Sequence, residues 1–411
     1  MVHDRCMVWI PALVEVGLGI AAFAPFLVHR LAVESWKKDA NIYPSAKADR
    51  APVTVLLPVW NEALILTMKL NNLAAQDMRC SLLIIDSCST DETVSTFHSW
   101  EKENPKAFDS VTLLKMEQRL GKTEAVRRAI QSLENQDYSG LICMTDADAM
   151  LPVNAVSRLQ GWFSDPTIGA VGASAVRSLG RDGEDVHRTL FEMLREGESA
   201  KDSTPFLEGS CMMWNHRCFQ STQLNVKSNA DDAQIATGVR LNGFRSIHDR
   251  KVTFEDIAPT TSEGQRRQKV RRGQGLQRLL IRHRASWFDR KLGSFAMILR
   301  REAHFHLLAP MLLFAAAMAA VLRWSIIGAA GMPMGALATV HGLLALVELG
   351  TLTVWLMHRR GIKVPVLGSL GSIITGMEFL LAALWNSFRG RSLHMWEQHA
   401  DTRSLRAQLD D

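Results

Sequence analysis

The sequence has few cysteines, and their spacing matches no common metal or disulfide framework. None of the six cysteines belongs to a Cys-x-x-Cys pair or to a cysteine–histidine ligand spacing, which argues against a zinc module and a disulfide-stapled fold. Most of them lie in apolar surroundings, so we expect buried free thiols in a reducing compartment. The sequence also lacks internal repeats and low-complexity segments, so a repeat architecture is not expected.

Apolar residues make up 47% of the 411 residues and are concentrated towards the two ends. The apolar stretches span residues 8–33, 303–322, 335–357 and 364–386. Each has about 20 residues, the length that a helix needs to cross a hydrocarbon core of about 30 Å. One such stretch could be a buried core helix, but four together favour a membrane region. The first lacks the basic leader and the small-residue cleavage pattern of a signal peptide, so we expect an uncleaved anchor.

Basic residues flank these stretches on one predicted side of the membrane. Two lysines at 37–38 follow the first stretch, the segment 290–301 precedes the second, and the loop 358–363 separates the third from the fourth. The positive-inside rule places all three segments in the cytoplasm. This predicts a multi-pass protein of the cell membrane with its polar central segment in the cytoplasm. Arg389 and Arg391 fit this arrangement less well, so the C-terminal topology stays open.

A basic patch directly precedes the second apolar stretch. Residues 265–301 carry twelve lysines and arginines against one acid, Asp289. Nucleic acid is one partner for such a patch, but its position beside a membrane stretch favours lipid headgroups or phosphates. Within the patch, residues 276–288 place arginines between apolar residues near helical spacing, which predicts an amphipathic helix in the membrane interface. We therefore expect the lipid bilayer, and no nucleic acid, as a partner.

The segment between the first two apolar stretches alternates strands with helices. Apolar runs at 53–58, 81–86, 111–115 and 140–146 read as buried strands, and helical patterns separate them. This alternation predicts an α/β domain with a mainly parallel sheet covered by helices on both faces. In such sheets, ligands bind beyond the carboxyl ends of the strands.

Polar side chains lie at several of these strand ends. Asp86 and Asp146 are the last residues of predicted strands, and Asn61 and Asp148 follow predicted strands closely. Any one of them could be a cap or a turn residue, but their agreement in series favours a ligand site. Two carboxylates one residue apart, such as Asp146 and Asp148, can hold a divalent cation, which prefers oxygen ligands, against a diphosphate.

Six short motifs follow one another from the first strand to the basic patch. They are Pro58-Val-Trp-Asn61-Glu62, Asp86-Ser-Cys-Ser89-Thr-Asp91-Glu-Thr93, Arg119-Leu-Gly121-Lys122, Asp146-Ala-Asp148, Asp231-Asp232 and Gln268-x-x-Arg271-Arg272. In this order they resemble the motifs of membrane-embedded family 2 glycosyltransferases. That family includes cellulose, chitin and hyaluronan synthases and the polyprenyl-phosphate sugar transferases. The resemblance covers roughly residues 53–275.

The resemblance implies a GT-A fold, Rossmann-like with a mainly parallel sheet, joined to an α-helical transmembrane region. The expected organisation is a transmembrane helix at 1–35, a linker at 36–51, the cytosolic GT-A domain at 52–275, an amphipathic interfacial region at 276–302, about three transmembrane helices at 303–388 and a polar tail at 389–411.

The resemblance also implies roles for individual residues. Asp232 would be the general base that deprotonates the acceptor hydroxyl. Asp148, together with Asp146, would bind Mg²⁺ or Mn²⁺. The residues implied in binding the nucleotide sugar are Pro58, Asn61, Glu62, Asp86, Lys122, Asp146, Gln268, Arg271 and Arg272.

The implied activity is that of an inverting, metal-dependent hexosyltransferase at the membrane. Its donor would be a UDP- or GDP-sugar, and its product a growing polysaccharide or glycan. The alternative is transfer of a single sugar to polyprenyl phosphate or another lipid-linked acceptor. A transporter or scaffold with a nucleotide-binding domain that turns nothing over is a further alternative, and it would need neither the metal pair nor the later base.

Three departures from the family pattern bear on these alternatives. Ser87 replaces the second acid of an Asp-Asp pair, so the sequence does not decide whether the donor nucleotide carries uridine or guanosine. Asp231 replaces a glutamate next to the base. Arg272 replaces a tryptophan that accompanies polymer synthesis in the family, and this weakens the expectation of a processive enzyme.

Overall fold

The computed structural model describes most of the chain and gives the bounds of its helices and strands. It describes residues 2–38, 51–177, 182–257, 259, 261–362, 368–393, 395 and 400–409. The strands are β1 Val53–Val59, β2 Ser81–Asp86, β3 Val111–Lys115, β4 Leu141–Thr145, β5 Ile168–Arg177, β6 Cys211–Asn215 and β7 Arg245–Asp256. The helices are α1 Val2–Lys38, α2 Ala63–Ala74, α3 Thr93–Glu103, α4 Lys122–Glu134, α5 Ala155–Gly161, α6 Asp182–Lys201, α7 Asp231–Leu241, α8 Ser262–Arg282, α9 Ser294–Ala303, α10 Ala309–Ala330, α11 Ala336–Arg359, α12 Gly368–Phe388 and α13 Ala400–Leu409.

The strands form one twisted layer in the order β3-β2-β1-β4-β6-β5-β7. All neighbouring pairs run parallel except those of β6, which is antiparallel to β4 and to β5. The predicted α/β fold with a mainly parallel sheet is therefore confirmed. Only the end of the segment 206–214 belongs to β6, and the residues before it form a loop.

The sheet is buried on both faces, which explains the continuous apolar runs of its central strands. Leu57 and Ile84 point into the core on one face, whereas Leu56 and Leu83 point into the core on the other. Pro58 is tolerated in β1 because its pairing with β4 ends at Leu56, so no hydrogen bond to β4 is lost at Pro58. The carboxyl ends of β1, β2 and β4 consequently meet at one edge of the sheet.

Three helical segments in the described part of the chain are long and apolar enough to cross a membrane. They span Val8–Lys38, Ser294–Ala330 and Ala336–Arg359. The second contains a π-helical turn, His304–Leu308, between α9 and α10. The fourth predicted stretch forms α12, which is not among these three and packs Leu384 into an apolar cluster with residues of α8 and α9. Much of the predicted linker, residues 39–50, lies outside the described residues.

The predicted boundary at residue 275 falls inside a single helix, α8. Gly273 and Gly275 lie within it because two other segments approach its backbone closely. A Cβ on Gly273 would lie 3.1 Å from Leu380 of α12, and a Cβ on Gly275 would lie 2.6 Å from the side chain of Asn229, just before α7. The α8 helix therefore packs against both α12 and the segment before α7, and so connects the sheet domain to the apolar helices.

Candidate functional site

The turns that follow β1 and β2 are tied together by their own polar side chains. Asn61 adopts a left-handed conformation with φ 54°, and its N–H donates to Ser89 Oγ at 2.9 Å. Its Oδ1 accepts from the N–H of Thr90 at 2.7 Å. The carboxylate of Asp86 accepts from the N–H of Ser89 at 3.2 Å. The structure thus brings Asn61 and Asp86 together at the sheet edge.

An aromatic–cation stack lies at the same edge. The guanidinium of Arg119 covers the ring of Trp60 at 3.4 Å from the ring centroid. Such a stack is strongest when it is partly desolvated. It holds the loop before α4 against the end of β1, and it thereby places Lys122 at the start of α4.

Lys122 lies between two acidic pairs, Asp146 with Asp148 and Asp231 with Asp232. Its Nζ lies 2.5 Å from Asp146 Oδ1 and 3.9 Å from Asp231 Oδ2. The other oxygen of Asp146 accepts a hydrogen bond from Ser210 Oγ at 3.0 Å. Burial opposes ionisation of Asp146, but the adjacent Lys122 prevails and lowers the pKa of this carboxyl below its usual value. Asp146 is therefore held as a carboxylate.

Asp232 is the second residue of α7 and faces the loop that precedes β6. Its Oδ2 accepts from the N–H of Gly209 at 3.1 Å, and a Cβ at Gly209 would lie 3.3 Å from that oxygen. Burial and the neighbouring Asp231 raise the pKa of Asp232 to about 6, although Arg272 opposes the shift. A carboxyl with a pKa close to neutrality is suited to accept a proton from a hydroxyl.

Arg272 reaches this acidic group from α8. It forms an ion pair with Glu208, whose other oxygen pairs with Arg195 at 2.7 Å. Gln268 lies one turn earlier and is half-buried. The backbone carbonyl of Arg271 accepts from Asn229 Nδ2 at 2.6 Å. Among the three predicted site residues of α8, Arg272 is the one that the structure places beside Glu208 and Asp232.

Glu62 and Asp148 share a partner that the sequence analysis missed. The carboxylate of Glu62 is fully buried and accepts two hydrogen bonds, at 2.9 and 2.7 Å, from Arg403 of α13. The same guanidinium lies 2.9 Å from Asp148 Oδ2. The spacing of Arg403 and Arg406, three residues apart, would place both on one face of a helix. The surrounding polar segment gives no further indication that they contact the site.

A buried lysine supports the loop that carries Asp146 and Asp148. Lys69 of α2 is inaccessible to solvent, donates to Thr145 Oγ1 at 2.8 Å and also donates to the carbonyl of Ala149. Burial lowers its pKa to about 8. The two hydrogen bonds span the acidic pair and fix its loop from below.

The carboxylates at this edge have the chemistry of divalent-cation ligands, although no three of them bring their ligand atoms within 4.8 Å of one another among the described residues. Asp146, Asp148, Asp231 and Asp232 offer the oxygen ligands that Mg²⁺ and Mn²⁺ prefer. Asp231 Oδ2 is buried and, within the part of the chain that the structure describes, has no hydrogen-bond partner. Lys122 at 3.9 Å is the nearby positive charge. A bound cation would add positive charge beside Asp231, whose Oδ2 has no hydrogen-bond partner among the described residues.

A second group of possible metal ligands lies where α1 meets α6 and α9. Atoms of His29, Glu198 and Glu302 lie within 4.8 Å of one another. Arg301 donates to His29 Nδ1 at 3.1 Å, so the ring proton is on Nε2, which donates to Glu198 at 2.9 Å. A protonated nitrogen has no lone pair for a metal. This group therefore joins the helix to the domain.

One family profile and several solved structures are similar to this chain. Residues 54–223 match the sequence profile of glycosyl transferase family 2. The mannosyltransferase PcManGT from Pyrobaculum calidifontis, solved in complex with GDP-Man and Mn²⁺, is similar over 92% of this chain and 99% of its own, with 26% identity and a TM-score of 0.73. TarS residues 1–349 from S. aureus, solved with UDP-GlcNAc, is similar over 67% of this chain and 90% of its own, with 14% identity and a TM-score of 0.42.

No curated protein sequence matches the chain. The family profile nevertheless covers β1 to β6, including the strand ends that carry Asn61, Asp86, Asp146 and Asp148. The apolar helices lie outside the matched residues. The chain thus contains a family 2 glycosyltransferase domain of the GT-A fold, joined to helices that are apolar enough to span a membrane.

Proposed function

We propose that the protein is a membrane-bound, inverting, metal-dependent glycosyltransferase that uses a GDP-sugar, with mannose as the first candidate sugar. The observation that carries the proposal is the bridge by Lys122 between Asp146 and the acidic pair that contains the base. Through Lys122, the proposed donor-binding loop after β4 and the start of α7 belong to one cluster of charged side chains. The similarity to a mannosyltransferase solved with GDP-Man and Mn²⁺ supports the choice of donor.

Asp232 is proposed as the general base. It removes the proton of the acceptor hydroxyl while that oxygen attacks the anomeric carbon, and the bond from that carbon to the diphosphate oxygen breaks. A single displacement of this kind inverts the anomeric configuration. The hydrogen bond from Gly209 orients the carboxylate during the transfer, and the proton remains on Asp232 when the glycoside leaves.

The departing nucleoside diphosphate carries negative charge that the site must stabilise. Lys122 and Arg272 provide positive groups at the acidic cluster. A divalent cation held by Asp148 and Asp146 would supply further charge stabilisation at the diphosphate. Asn61, Asp86 and the stack of Arg119 on Trp60 would form the nucleoside side of the cleft.

The acceptor is proposed to be lipid-linked. Ala233, the neighbour of the base, belongs to the same apolar cluster as Leu279 of α8, Phe295 of α9 and Leu307 of the π-helical turn. The base therefore lies close to the helices that would enter the bilayer, so an acceptor anchored in the membrane has a short route to it. Arg272, paired with Glu208, replaces an aromatic platform for an acceptor sugar. Extension of a polysaccharide is the second candidate.

The proposed orientation places the catalytic domain in the cytoplasm. The second helical segment carries basic residues at its beginning, Arg300 and Arg301, next to the catalytic domain. The third segment ends in His358 and Arg359. The positive-inside rule puts both of these ends on the cytoplasmic side of a multi-pass cell-membrane protein.

The test is nucleoside diphosphate release by the purified protein in detergent. GDP-mannose, other GDP-sugars and UDP-sugars are compared with Mn²⁺ or Mg²⁺, each with and without polyprenyl phosphate. We expect acceptor-stimulated GDP release that Asp148→Asn and Asp232→Asn abolish, while Glu103→Gln, an exposed acid on α3, changes nothing. One glycolipid product supports single transfer, whereas a ladder of oligosaccharides supports polymer extension. A protein that neither binds nor turns over any donor would overturn the proposal.

A further inference from the structure

The C-terminal helix α13 holds the loop of the acidic pair with two buried arginines. Arg403 lies 2.9 Å from the carboxylate of Asp148. Arg406, one turn further along, donates to the backbone carbonyl of the same Asp148 at 3.0 Å and to the carbonyl of Glu255 at 3.1 Å. Side chain and backbone of one residue are thus held by one helix. A helix that merely covered the surface would not need both contacts.

Glu62 makes Arg403 hard to displace. The Glu62 carboxylate is fully buried at the end of β1, and Arg403 contributes two of its hydrogen bonds. Withdrawal of the guanidinium would leave a buried carboxylate without its main counter-charge, which is strongly unfavourable. The pair therefore anchors α13 to the sheet.

The contact with Arg403 leaves part of Asp148 for a ligand. The guanidinium engages Asp148 Oδ2, so the second oxygen of the carboxylate can face a cation. Partners that hydrogen-bond a ligating carboxylate fix its orientation, and their loss typically lowers metal affinity by about 10–100-fold. Arg403 and Arg406 have the positions of such partners.

We propose that α13 is part of the donor site and that Arg403 and Arg406 are positioning residues, which fix Asp148 for the divalent cation of the nucleotide sugar. The inference rests on the proposed function, since it assumes a metal-dependent donor. It assigns a role to a segment outside the family 2 match. In this arrangement the arginines stay docked when donor and cation bind.

The experiment is a Mn²⁺ titration of the full-length protein in detergent with GDP present, followed by the electron paramagnetic resonance signal of free Mn²⁺. We expect Arg403→Gln and Arg406→Gln each to weaken Mn²⁺ binding by about 10–100-fold. Arg403→Lys, which keeps the charge but loses the planar fork, should fall between them and the wild type. Ser404→Ala, at an exposed position on the same helix, should bind like the wild type.

Two variants distinguish a loss of Mn²⁺ affinity from a loss of folding caused by an unpaired Glu62 carboxylate. Arg406→Gln leaves the pair of Glu62 with Arg403 intact, and the double variant Glu62→Gln/Arg403→Gln removes both members of that pair. Unchanged Mn²⁺ affinity in Arg406→Gln and in the double variant would overturn the inference. Tighter binding in Arg403→Gln would overturn it too, because it would make Arg403 a competitor of the cation. If the wild type itself binds neither Mn²⁺ nor GDP, the proposed function fails instead.

Discussion

The raised pKa of Asp232 predicts how the reaction depends on pH. Burial and the neighbouring Asp231 place this pKa at about 6, above the ordinary value of about 3.9 for aspartate. The proposed base acts only when it is ionised, so kcat/KM should fall roughly tenfold for each pH unit below 6 and level off above about pH 7. The rate at pH 5 should then be roughly one tenth of the plateau.

Two variants separate this cause from others. Asp232→Asn removes the base and should lower kcat by about 10²–10⁴-fold. Asp231→Asn keeps the base but removes the nearby charge, so the inflection should move to lower pH. The measurement is initial GDP release between pH 4.5 and pH 8, at donor concentrations well below KM. These assay values are chosen to bracket the expected pKa of about 6.

The contribution of Asp232 to folding stability should change with pH in the direction opposite to that of the activity. A carboxyl whose pKa is raised by folding stabilises the native state when protonated, and that contribution is lost as the pH rises through about 6. At pH 7 the ionised Asp232 is therefore a cost to the fold, and Asp232→Asn should melt no lower than the wild type. Retained activity in Asp232→Asn, or an inflection that Asp231→Asn leaves in place, would refute the reasoning.

Two further predictions concern buried charges away from the base. Lys69→Met should lower the free energy of unfolding by about 1–3 kcal/mol, because the carbonyl of Ala149 loses its donor; an unchanged denaturation midpoint would contradict this. Arg323 is fully buried and pairs with Glu15 at 2.9 Å and with Glu348. Arg323→Leu should therefore destabilise the detergent-solubilised protein by about 3–5 kcal/mol, and adding Glu15→Gln should restore part of the loss if the uncompensated charge is the cause.

The catalytic sheet could be predicted because its signals are local. The runs that form β1, β2 and β4 are apolar throughout, since both faces of these strands are buried. The Asp146 and Asp148 pair follows β4 directly, so its place at the sheet edge follows from the parallel topology. The structure confirms the strands and brings these residues to one edge, while their roles in binding and catalysis stay predictions.

The remaining features depend on contacts between distant segments. Arg403 meets Glu62 across 341 positions of the sequence, and nothing in the polar tail indicates such a partner. The continuity of α8 was hidden because Gly273 and Gly275 usually interrupt helices. Here they are needed for close approach to α12 and to the turn before α7, a reason that a single sequence does not contain.

The pairing of Glu62 with Arg403 also affects the order in which the molecule is built. Every apolar helix from α9 to α12 is encoded between these two residues. A ribosome that adds about 5–20 residues per second makes β1 many seconds before α13. The Glu62 carboxylate therefore cannot pair with Arg403 until the intervening helices have been translated. A polypeptide that stalls within those helices has no Arg403 to pair with Glu62 and Asp148, so both carboxylates lack this partner at the edge of the sheet.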